Sequence, residues 1–155
     1  MDPIFQVLQA DHLRLRRQLN SLIDQAVEEF SPGFREFAQA LKAQTRAEER
    51  EIFPLLMGIP AVVGLLNELA DQHHQLEQGL ELLDSREVDW PEGLHWMDQV
   101  LLFKQKLDFH FAEEECVVDL ALDLAPGLLH RDRCVLIAES YRLHLQELSS
   151  HHRAS

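Results

Sequence analysis

Five of the six prolines, Pro3, Pro32, Pro60, Pro91 and Pro126, each head a long segment in which apolar residues recur every third or fourth position. Proline is tolerated in the first turn of a helix, where its missing N–H would be unpaired anyway, and is disfavoured in the interior. The pattern therefore predicts five helices, over roughly 3–29, 32–57, 60–85, 91–123 and 126–149. Asp2, Ser31 and Asp89 lie just upstream as side-chain acceptors for first-turn N–H groups. The sixth proline, Pro54, falls near the end of the second helix and should kink or close it. No segment shows the sustained alternation of a strand, and β-branched residues are few. Short connections favour antiparallel neighbours. The expected fold is all-α: an up-down antiparallel four-helix bundle over residues 1–125. A C-terminal helix and tail, 126–155, then packs on the bundle or forms a homodimer contact.

Composition narrows the function classes. With 155 residues, 46% of them hydrophobic, the chain suits one globular domain with a proper core. The formal charge of −13 disfavours nucleic acid or an anionic membrane surface as a partner. No apolar run approaches the ~20 residues of a membrane span, and no basic-then-apolar leader opens the sequence. The expected location is cytoplasmic, with Cys116 and Cys134 reduced, since their spacing fits no metal motif. Nine histidines is a high count for this length.

Four of the helical stripes are apolar except at their centres. The fourth helix lines up Trp96, Val100, Phe103, Leu107, His110, Glu114, Val117 and Ala121 on one face. His110 and Glu114 are four apart, hence one turn apart, about 6 Å along the axis. The first helix carries Phe5, Leu8, His12, Leu15, Leu19 and Leu22. The second carries Phe34, Phe37, Leu41, Gln44, Glu48, Ile52 and Leu55, again with two polar residues four apart. The third carries Val62, Leu66, Leu69, His73, Leu76, Leu80 and Leu83. His74 is turned about 100° from that stripe and is held in reserve as a ligand should the register be one residue out. Glu49, Arg50 and Glu51 are read as solvent-facing. On the last segment Val135, Ala138, Arg142, Leu145 and Leu148 make an imperfect apolar face, with His130 and His144 lacking a carboxylate at matching spacing.

A core face does not take a carboxylate without a partner, because burying an unpaired charge is costly. In an antiparallel bundle the helix centres meet at one level. His12, Gln44, Glu48, His73, His110 and Glu114 can therefore converge, and a cation is the simplest common partner. Three imidazoles, two carboxylates and an amide oxygen form a nitrogen–oxygen donor set without thiolate, which suits iron(II), manganese or zinc. Two carboxylates among histidines suggest two ions bridged by Glu48 and Glu114.

The residues Asp11-His12, Glu48-Glu49-Arg50-Glu51-Ile52-Phe53-Pro54, His73, and His110 with Glu114-Glu115 resemble the hemerythrin-like HHE cation-binding domain family, over roughly residues 4–122. The resemblance implies a four-helix bundle holding a non-haem di-iron centre. His12 would ligate one iron, His73 and His110 the other, and Glu48 and Glu114 would bridge. It also implies a small-ligand role: binding or sensing oxygen, nitric oxide or redox state, or handling iron. One departure stands out. The family's second-helix histidine falls on Gln44, whose neutral amide oxygen is a weaker donor than imidazole. The ion beside His12 is then weakly held, absent or completed by water, and an open position favours access by a small molecule. Two alternatives remain at this stage. One is an enzyme on the same scaffold acting on peroxide or nitrosylated iron, although no separate acid–base pair argues for catalysis. The other is a metal-free or zinc-bound helical interaction module with a degenerate site.

Overall fold

The computed structural model describes residues 2–25, 32–84, 95–126 and 131–154. Among them there is no strand. Helix α1 spans Pro3–Asp24, and Asp2 caps it: its Oδ1 accepts from the N–H of Ile4 at 2.8 Å and of Phe5 at 3.3 Å. Helix α2, Pro32–Ala47, runs into a π-helical turn over Glu48–Ile52, and α3, Phe53–Leu56, continues the rod. A 3₁₀ turn at Pro60–Val62 leads into α4, Val63–Asp84. Helix α5 is Trp96–Leu124 and α6 is Arg131–Ala154.

The boundaries differ from the sequence expectation in instructive places. Gln25 ends α1 in a turn, its N–H bonded to the Ser21 carbonyl, earlier than the expected end at 29; residues 26–29 themselves, Ser31, Asp89, Pro91 and His130 lie outside the described residues. The described part of α5 begins at Trp96, with the N–H of His95 bonded to Asp98 Oδ2 at 3.1 Å. Pro126 stands in a turn. Pro54 does not simply stop the second helix. It cannot donate to the Arg50 carbonyl and its ring crowds that group. The backbone widens just before it, so that the N–H of Phe53 bonds to the Glu48 carbonyl. The extra residue in that turn lets Ile52, Phe53, Leu55 and Leu56 all bury.

Helices α1, α2, α4 and α5 close a ring of neighbours: α1 contacts α2 and α5, and α4 contacts α2 and α5. The core splits into two apolar clusters. One gathers Leu8, Ile52, Leu56, Leu69 and Val117 toward one end. The other gathers Leu15, Phe37, Leu41, Leu76 and Leu107 toward the other. Each such side chain contributes about 1.5–3 kcal/mol on burial. Between the clusters lies a layer of fully buried polar side chains.

Helix α6 packs across α1, α2 and the π turn. Of its expected inward face, Ala138, Leu145 and Leu148 pack against the core, but two positions differ. Cys134, Ala138, Tyr141 and His144 are buried, while Arg142 is exposed and Val135 only half-buried. The inward face is turned toward Cys134, Tyr141 and His144, and Tyr141, with its polar tip, takes the place expected of Arg142. The Tyr141 hydroxyl donates to Asp11 Oδ2 at 2.6 Å, and Arg14 Nη2 reaches Asp11 Oδ1 at 2.7 Å. A buried tyrosine needs such an acceptor. Burial, then the nearby Asp11 charge, pushes its phenol well above the usual range. Tyr141→Phe should therefore destabilise the protein by about 1.5–3 kcal/mol, the cost of losing a hydrogen bond to a buried carboxylate. Thermal unfolding checks this, and an unchanged Tm would show that the bond contributes nothing.

Candidate metal centre

The polar layer is built by four helices, each giving its central residues. His12 comes from α1, Glu48 from the first residue of the π turn, His73 from α4, and His110 and Glu114 from successive turns of α5. All are at most 2% exposed. The two carboxylates are shared in an ordered way. His12 Nε2 lies 2.9 Å from Glu114 Oε1 and 3.6 Å from Glu48 Oε1. His73 Nε2 lies 3.1 Å from Glu114 Oε2 and 3.4 Å from Glu48 Oε2. His110 Nε2 lies 3.1 Å from Glu114 Oε2, out of hydrogen-bonding alignment. Each carboxylate thus turns one oxygen toward His12 and the other toward His73; Glu114 Oε2 also faces His110.

The outer nitrogens fix the rings. His73 Nδ1 is 2.8 Å from Glu49 Oε1, and His110 Nδ1 is 2.7 Å from Gln72 Oε1. Both partners are acceptors, so Nδ1 carries the proton and, in the neutral ring, Nε2 presents its lone pair to the interior. Gln72 is oriented in turn by donating from Nε2 to Glu113. Phe111 stacks on His12 at 4.0 Å between centroids, and Phe53 on His73 at 5.4 Å.

Among the described residues, several buried atoms have no hydrogen-bond partner: both oxygens of Glu48, Nε2 of His110, Nδ1 of His12 and both amide atoms of Gln44. Orphaned polar atoms at this depth each cost about 1–3 kcal/mol; among them the Glu48 oxygens and His110 Nε2 are acceptors that a cation could satisfy, whereas Gln44 Nε2 is a donor. One ligand atom each from Glu48, His73, His110 and Glu114 lies within 4.8 Å of the others, a spacing that can hold a metal ion. A cation would satisfy them together, so the residues fit one.

A family model, the hemerythrin HHE cation binding domain, matches residues 4–118. The chain belongs to the hemerythrin HHE family. No curated protein and no solved structure gives a match. The matched region covers the four bundle helices nearly in full, and α6 lies beyond it. In this hemerythrin-like bundle the buried histidine and glutamate cluster is a metal-binding arrangement with nitrogen and oxygen donors. Among the described residues no helix is long and apolar enough to cross a membrane.

Without a cation the cluster holds protons. Burial pushes the Glu48 carboxyl up to about 8, with repulsion from Glu114 adding to the effect. Burial also opposes ionisation of Glu114, but its contacts with Glu48, His110, His12 and His73 outweigh this and hold it well below the usual carboxylate range. Burial alone would lower His12 and His73. Their carboxylate neighbours, Glu114 first, win and raise both well above the ordinary imidazole value.

All six residues singled out from the sequence are buried in the bundle interior. Five have mutual contacts within 4 Å. Gln44, one turn before Glu48 on the same face, has both amide atoms unpartnered. His74 is exposed, and its hydrogen-bond partner among the described residues is Gln78, at 3.2 Å. His74→Ala should thus leave metal content unchanged and shift stability by no more than about 0.5 kcal/mol; a loss of metal would put His74 in the site. Two neighbours were missed. Glu49 is exposed, as expected, and from that position its Oε1 also holds His73. Gln72 sits beside the chosen histidine, and its partner His110 is 38 positions away in sequence, so no local pattern marks it. His144 likewise finds a carboxylate outside its own helix, Glu51 Oε1 at 3.3 Å. Cys116 is exposed and Cys134 buried, and neither forms a disulfide among the described residues.

Proposed function

We propose that this protein holds a non-haem di-iron centre and uses it to bind or sense a small ligand such as oxygen or nitric oxide, as a carrier or sensor and not by turning over substrate. The observation that carries the reading is the split of the two buried carboxylates. One oxygen of each faces His12 and the other faces His73, which is the disposition of bridging ligands between two cations. Zinc or manganese would fit the same nitrogen and oxygen donors, and iron is favoured by the family. Bound iron would supply an electron-rich centre at which a diatomic ligand can be held reversibly.

The chain's own residues define two unequal halves. His73, His110, Glu48 and Glu114 form a compact four-residue set. The other half has His12, the far oxygens of the carboxylates and the neutral Gln44. It is therefore the weaker half, and the one whose donor set would leave a position for a ligand. Around it Phe111, Leu15 and Leu41 exclude bulk water. Glu49 and Gln72 keep the Nδ1 protons of His73 and His110 in place, so these rings cannot present the wrong nitrogen.

Anaerobic reconstitution with iron(II), followed by elemental analysis and an absorption spectrum before and after exposure to air, tests the proposal. Two irons per chain, one held more tightly, and a ligand-dependent spectral change are expected. A protein that takes up no iron is the result that defeats it. Gln44→His should tighten the weaker ion about tenfold or more, since an imidazole replaces a neutral amide. Chelator competition measures this, and an unchanged second constant would place Gln44 away from the ion.

A further inference from the structure

One face of the bundle is left bare. Helix α6 lies over α1 and α2, whereas nothing among the described residues covers the groove between α4 and α5. Two hollows, of about 360 and 330 Å³, lie along that groove, and Phe109 stands in the wall of both. Its ring is 62% exposed. Leu82 and Leu102, also exposed, line the first hollow, and Leu65 and Leu120 line the second. An exposed apolar stretch of this kind on a soluble bundle marks a contact surface.

We propose that this face binds a second copy of the same chain in a twofold dimer, with each Phe109 seated in a hollow of the other copy. The proposal is independent of the metal reading. A knob beside a hollow on one face is what a twofold interface requires, because the same patch must complement itself. A small apolar ligand would fill one hollow and leave the ring wet, while a second copy covers ring and hollows together. The charges favour the same occupant. Lys106 lines the first hollow, and Glu68 and Glu113 line the second. Near Lys106, both Lys104 and Arg16 are engaged with Asp108. Lys106 has no ion-pair partner among the described residues; Arg17, Lys42, Arg46 and Arg142 have none there either, but they do not line these hollows. A twofold axis near Phe109 that sets the two α5 helices antiparallel lays the Lys106 end of one copy over the Glu68 and Glu113 end of the other. In a chain of net charge −13, where two copies repel overall, that pairing sets both register and partner.

Sedimentation equilibrium on the full chain tests this, with helicity by circular dichroism as the control for folding. The wild type should be a dimer at micromolar concentration. Phe109→Glu, at an exposed position, should give a folded monomer. Lys106→Glu should raise the dissociation constant about tenfold or more, and adding Glu68→Lys to it should restore dimerisation. A wild type that stays monomeric at submillimolar concentration overturns the proposal, even if the groove takes up a hydrophobic probe. So does a dimer that ignores both Phe109→Glu and Lys106→Glu, which would place the contact elsewhere.

Discussion

Glu114→Ala is expected to abolish retention of metal and to lower the stability of the metal-free protein as well. Glu114 is fully buried and lies within 3.1 Å of three imidazoles, His12, His73 and His110. It is the one carboxylate in the layer held ionised by its neighbours. Its removal leaves the protonated His12 and His73 with the reluctant Glu48 as their only inner counter-charge. Removing one partner of a buried pair costs about 3–5 kcal/mol. In a domain of this size, 3 kcal/mol lowers Tm by about 10 °C. Glu114→Gln separates the two effects. It preserves the side chain's volume and a carbonyl acceptor, so much of the metal-free stability should return while metal does not. Calorimetric unfolding with elemental analysis gives both readings. Wild-type iron content in Glu114→Ala would remove Glu114 from the ligand set and with it the bridged centre.

The second large effect is with pH, and it runs in opposite directions with and without metal. In the metal-free protein His12 and His73 bind protons more tightly folded than unfolded, and so does Glu48, raised to about 8. Between an unfolded carboxylate value near 4 and the folded value, Glu48 keeps a proton that the unfolded chain has lost. The histidines do the same above about 6.5. The folded state therefore binds the excess protons, and stability falls as pH rises through this window, by about 1.4 kcal/mol per pH unit for each extra proton held. Glu114, shifted the other way, has already contributed fully above its unfolded value and does not oppose the trend. Metal binding must displace these protons, because imidazole and carboxylate ligate only when deprotonated. Affinity should thus rise steeply, at least about tenfold per pH unit near neutrality. The metal-free Tm should fall from pH 6 to pH 8.5 while the gain in Tm on adding metal grows. Calorimetric titration in buffers of different ionisation enthalpy counts the protons released. Metal affinity that is flat across this range would show that the ligands are not the groups holding them.

What the sequence determined by itself was periodicity and its interruptions. Apolar residues at helical spacing, broken once per helix by His12, Gln44–Glu48, His73 and His110–Glu114, were enough to place the interior layer, because burial of an unpaired charge is too costly to arise four times without a shared partner. Helical phase also separated His73 from His74, since adjacent residues point about 100° apart. Tertiary structure decided what lies across helices. Glu49 and Gln72 carry no periodic mark; they became partners of His73 and His110 only once α2, α4 and α5 were side by side. The π turn at Glu48–Ile52 depends on the backbone's answer to Pro54, and with it Ile52, Phe53, Leu55 and Leu56 all bury. On α6, Ala138, Leu145 and Leu148 face the core as their spacing implies, but Tyr141, apolar in body and polar at its tip, is an interior residue only because Asp11 stands opposite. Local spacing fixes which way a side chain points from its own helix. Which atom it meets there is set by how the helices pack.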